Sequence, residues 1–63
     1  MPHPDAAALT SVHSELERTT ERIVAIADRH RDDPDDPLTG PLDELERTLV
    51  SAARRLERLL RSL

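Results

Sequence analysis

Five arginines in the last third of the chain, Arg47, Arg54, Arg55, Arg58 and Arg61, are spaced so that one helix would carry them along one side. Arg47, Arg54 and Arg61 recur every seven residues, and the only acid from position 47 onward is Glu57. Guanidinium groups in such a row bind carboxylates and phosphates through bidentate, charge-assisted hydrogen bonds. An acidic protein is the expected partner of Arg47, Arg54, Arg58 and Arg61. A nucleic acid or a nucleotide is the alternative, with anionic lipid as a further polyanion. The chain has no Phe, Tyr or Trp to stack on bases, and no recognition-helix turn. The plainest reading of the same row is a solvated face. It would complement the dipole at the end of its own helix and the acids Glu17, Glu21 and Asp28 of the preceding one.

Two other groups of residues invite chemistry. Asp33, Asp35 and Glu44 fit positions one, three and twelve of an EF-hand calcium loop, but Pro37 falls at position five and Leu38 replaces the glycine needed at six. An open, soluble Asp/Pro loop is the expectation. His13 and Glu17 are one helical turn apart and could supply two metal ligands, which symmetry in a dimer would double. The Glu-x-x-His pair of di-iron bundles is absent. No cofactor or metal is expected. With no Cys, no Tyr and no Ser-His-acid arrangement on a scaffold, neither is an enzyme.

The elements that would position these residues are helical. Leu9, Val12, Leu16, Thr19, Ile23, Ile26 and His30 are spaced 3, 4, 3, 4, 3, 4, and so are Leu42, Leu45, Leu49, Ala52, Leu56, Leu59 and Leu63. Each series is the a/d stripe of a heptad and needs a second helix to cover it. The fold class is all-α: a two-helix antiparallel hairpin with a helix over about 5–31, a loop over about 32–40 and a helix over about 41–62. Residues 1–4 form a flexible lead-in to a single domain over 1–63. Asp5 suits a cap, Pro34 and Pro37 break the first helix, and Pro41 suits the first turn of the second. Thr19 is the neutral polar residue on the inner seam, where it should face Leu49 and Ala52 and bond the carbonyl four residues back.

A chain of 63 residues with no cysteine has little margin for a stable core of its own. Association is the remaining remedy. Beyond the seam, the e and b positions of the heptad hold Thr20, Val24 and Ala27 on the first helix and Val50, Ala53 and Leu60 on the second. This side is expected to meet its copy in a second chain, giving a homodimeric four-helix bundle. The charge of −4 is too mild to name a partner. All nine basic residues are Arg, and with the Ala, Asp and Pro usage this gives an actinobacterial-like, GC-rich composition. No membrane span or leader pattern is visible, so a soluble, cytoplasmic protein is expected.

The plan resembles the Rop-type RNA-binding hairpin dimers in architecture, without a shared motif. Glu15-x3-Thr19-x2-Arg22 is similar to the front of the E-x3-S-x2-R-x3-Q-x3-D signature of the cyclic-di-GMP-binding anti-sigma coiled coils. Ile26 and His30 stand where that signature has Gln and Asp, so neither function is carried over. The expected role is that of a small non-enzymatic protein acting through protein–protein interaction, as an adaptor, assembly factor or regulator.

Overall fold

The computed structural model describes residues 3–63 and consists of two α-helices, α1 (Ala6–His30) and α2 (Thr39–Ser62). Of the expected lead-in over 1–4, residues 1 and 2 lie outside the described residues. The helices run antiparallel in a hairpin 52 × 14 × 11 Å in extent. Both start without a side-chain cap: Asp5 and Leu38 occupy the cap positions, and neither contributes a side-chain hydrogen bond. Pro41 lies in the first turn of α2, where its missing N–H has no carbonyl to serve. Arg29 and His30 close α1 and Arg61 closes α2, each placing positive charge at the negative end of the helix dipole.

The turn over residues 31–38 is tightly built. Asp33 and Asp36 each precede a proline, and each carboxylate accepts a backbone N–H two residues on, from Asp35 at 3.0 Å and from Leu38 at 2.8 Å. These are two consecutive Asx turns, in which proline fixes φ at the intervening residue. Thr39 Oγ1 lies 3.0 Å from the carbonyl of His30 and 3.3 Å from that of Asp33, and donates to this pair of acceptors across the turn. His30 Nδ1–H donates to the Asp36 carboxylate, so the last residue of α1 is tied to the turn by backbone and side chain alike. Of the four aspartates that suggested an open loop, Asp33 and Asp36 are engaged with the turn's own backbone.

The packed faces differ from the expected seam in one systematic way. On α1 the residues withdrawn from solvent form the series Ala6, Leu9, His13, Leu16, Thr20, Ile23, Ala27 and His30, flanked by the half-buried Val24 and Ile26. On α2 the series is Thr39, Leu42, Glu46, Leu49, Ala53, Leu56 and Leu60, flanked by the half-buried Asp43. Both series keep the alternation of three and four, so both are heptad stripes. Leu9, Leu16, Ile23, His30, Leu42, Leu49 and Leu56 were expected there. The other half of each series is the e row instead of the d row. Each helix is thus turned by roughly 50° from the expected facing, given 100° per residue.

Each helix carries apolar residues on both flanks of its a row, and a single partner helix covers only one flank. The hairpin takes the flank with the smaller side chains. Ala27 is 2% exposed and is the one fully buried residue among those described. Thr20 sends its hydroxyl back to the Leu16 carbonyl at 2.8 Å, so it enters the seam with its polar group satisfied. That role had been assigned to Thr19, which is exposed. The d row is left largely outside, with Val12 47%, Leu45 41% and Leu59 47% exposed; its member next to Ala27, Ile26, is half-buried.

Candidate functional site

Helix α2 places Arg47, Arg54, Arg58 and Arg61 along one open trough, with Glu46, Val50, Ser51 and Glu57 between them. All four arginines are exposed. At 1.5 Å per residue the row runs for about 21 Å. Arg55 lies off this trough, in an adjoining depression that shares Arg47 and Ser51 with it. The two acids of the trough are turned toward α1. Glu57 Oε1 is 3.2 Å from His13 Nε2, and Glu46 Oε2 is 4.0 Å from Arg31 Nη2. None of Arg47, Arg54, Arg58 and Arg61 lies within 4.0 Å of a carboxylate of any described residue, whereas Arg31 reaches three: Asp28, Asp43 and Glu46. The trough therefore presents four guanidinium groups, and the two acids within it are engaged by His13 and Arg31.

His13 is the second site of interest. Its side chain is 15% exposed, its Nδ1 lies 3.0 Å from Glu17 Oε1, and its Nε2 lies 3.2 Å from Glu57 Oε1. Glu17 is one helical turn away and was legible in the sequence. Glu57 is supplied by α2 and becomes visible only once the hairpin register is known. Ligand atoms of the three residues fall within 4.8 Å of one another. Each ring nitrogen, however, faces its own carboxylate. Gathering all three groups around one ion would require the imidazole to leave one of them. As built, the arrangement clamps α1 to α2 through the imidazole.

At the turn, the Asp36 carboxylate accepts from both His30 and the Leu38 N–H. Hydrogen bonding from His30 and then from the Leu38 N–H hold its carboxyl below the ordinary value, against a smaller opposing effect of desolvation. The EF-hand comparison finds no counterpart here. The Asp33 carboxylate accepts the Asp35 N–H, and Glu44 projects from α2 as an exposed residue.

The residues expected to meet a second chain are divided by the structure. Thr20, Ala27, Ala53 and Leu60 lie on the seam within one hairpin, Val24 is half-buried beside it, and Val50 is 37% exposed. Ala27, already covered by its own chain, has no surface left to offer a partner. The e row was read as surplus because the d row was assigned to the seam; with the two exchanged, the surplus apolar row is d. Among the described residues, no helix is long and apolar enough to cross a membrane. No protein-family model, curated protein or solved structure matches the chain.

Proposed function

We propose that this chain is a non-enzymatic interaction module: a helical hairpin, completed as a homodimeric four-helix bundle, that presents Arg47, Arg54, Arg58 and Arg61 to an acidic protein surface. The observation that carries the reading is the set of four exposed guanidinium groups in one trough, none of them neutralised by a described carboxylate. Fixed on a helix, these groups are pre-ordered for carboxylates, and binding loses less side-chain freedom than a floppy basic tail would. The absence of aromatic side chains favours a carboxylate partner over a base-bearing one.

Fluorescence anisotropy with a labelled oligo-glutamate peptide, beside single-stranded and duplex oligonucleotides, tests this reading. The peptide is expected to bind at low salt and to lose at least tenfold in affinity when Arg47, Arg54 and Arg61 are changed together to Gln. Binding of the oligonucleotides alone, with a steep salt dependence, would assign the trough to nucleic acid. Binding of neither would make it a solvated face.

A further inference from the structure

We infer that the face on which a second copy sits is the d row left outside the hairpin, and that the two copies lie with their turns at opposite ends. The inference rests on the reading of the protein as a dimer and supplies the surface and arrangement which that reading lacks.

The row consists of Val12, Thr19 and Ile26 on α1 and Leu45, Ala52 and Leu59 on α2, without a charge among them; Ile26 is half-buried and the other five are exposed. Leu38, 48% exposed, continues it at the turn. With the seam between the a and e rows, the d rows of both helices stand about 80° from the seam direction on the same side of the hairpin. The opposite side carries Glu17, Glu57, Asp43 and Arg31, together with the arginine trough. Covering that side would strip water from all of these charges. Covering the d row strips water from aliphatic side chains and leaves the trough outward on both copies.

The areas agree with a second copy as the occupant. A compact monomer of this 7.1 kDa mass has about 4,100 Å² of accessible surface. The hairpin has 4980 Å². The excess, about 900 Å², is close to the roughly 800 Å² that each partner buries in a standard interface.

An interface between identical copies must be complementary to itself about a two-fold axis, and the row has this property. The His13–Glu57 and His30–Thr39 contacts fix the antiparallel register, and in that register Thr19 and Ala52 stand at the same level. Both are the small residues at the centre of their rows. A two-fold axis at that level, perpendicular to the helices, places Thr19 on Thr19, Ala52 on Ala52, Val12 on Ile26 and Leu45 on Leu59. It also brings Glu15 of one copy beside Arg22 of the other at the rim. With the turns at the same end, Thr19 would meet Ala52 instead.

The chain has no cysteine, so an introduced thiol reports its own neighbourhood. Thr19→Cys and Ala52→Cys are made singly, with Val50→Cys as the control on the opposite face. Circular dichroism checks that each folds, and sedimentation of the reduced proteins gives their mass. Dimers are expected for all three, with mild oxidation converting more than four-fifths of either central variant to a covalent dimer and less than a tenth of the control. A dimer that cross-links only through Val50→Cys overturns the face. A dimer that cross-links only when Thr19→Cys and Ala52→Cys chains are mixed overturns the arrangement, and one that cross-links in no case overturns both. A monomeric mass for all three removes the dimer reading itself.

Discussion

His13 on α1 reaches Glu57 on α2 through Nε2 at 3.2 Å, while its Nδ1 lies 3.0 Å from Glu17. Few contacts fix the helix register so directly, because a shift of one turn would move Glu57 by about 5.4 Å. Replacing His13 with Ala removes both interactions and opens the seam at a half-buried position. A loss of about 1 kcal/mol is expected, since single hydrogen bonds contribute about 0.5–1.5 kcal/mol. A thermal melt followed by circular dichroism at fixed protein concentration should fall by about 4–8 °C. An unchanged melt would show that the clamp contributes nothing.

Ala27 is the one fully buried residue among those described. Ala27→Leu inserts three carbons into the one fully buried position and should cost about 1–3 kcal/mol through overpacking. Ala25→Leu, on the exposed side of the same helix, should leave the melt within about 0.5 kcal/mol of the parent. Equal effects from the two would contradict the observed seam.

Acid should act through the turn. The Asp36 carboxyl is held below its ordinary value of 3.8 by His30 and Leu38. Well above 3.8 the group is ionised in the folded and unfolded chains alike, and its contribution to stability is complete. As the pH falls past that value the unfolded chain takes up the proton first, so the contribution shrinks, and it is gone below the lower, folded value. Asp36→Asn should therefore be less stable than the parent at pH 7, and the difference should narrow as the pH drops below 4. A gap that stays constant from pH 7 to pH 2 would contradict this assignment.

Leu49 belongs to the seam whichever flank accompanies it. Leu49→Asp places a carboxylate on the packed face of α2, opposite the stretch of α1 that carries Thr20 and Ile23. Loss of most helical signal at 25 °C is expected, because an unpaired charge in a packed seam exceeds the margin of so small a domain. Retained helicity would remove the hairpin seam as described.

How much of this was legible in the sequence differs from feature to feature. The helices follow from their spacing, and their ends fall within two residues of those expected from Asp5, Pro34 and Pro41. The a row was legible because Leu9, Leu16, Ile23, Leu42, Leu49 and Leu56 are large and aliphatic. The choice between d and e was not. Leucines at 45 and 59 made d look like the seam, whereas His13 and Glu46 made e look like surface. Only the partners Glu57 and Arg31, brought by the other helix, allow those polar residues to enter the packed face. The turn was read from its composition, and the composition conceals that each Asp before a Pro accepts its own backbone. Arg47, Arg54, Arg58 and Arg61 share one trough, with Arg55 at its edge beside Arg47 and Ser51.

The central claim is that one hairpin covers only part of its apolar surface and that a second copy covers the d row. Sedimentation equilibrium of the unmodified chain, beside a Leu45→Glu/Leu59→Glu variant, tests it most directly. The account predicts twice the chain mass of 7.1 kDa for the parent at micromolar concentration. For the variant it predicts dissociation at least a hundredfold easier, with the helical hairpin retained at high concentration. A fully helical parent sedimenting at 7.1 kDa, or a variant that dimerises as tightly as the parent, would contradict it.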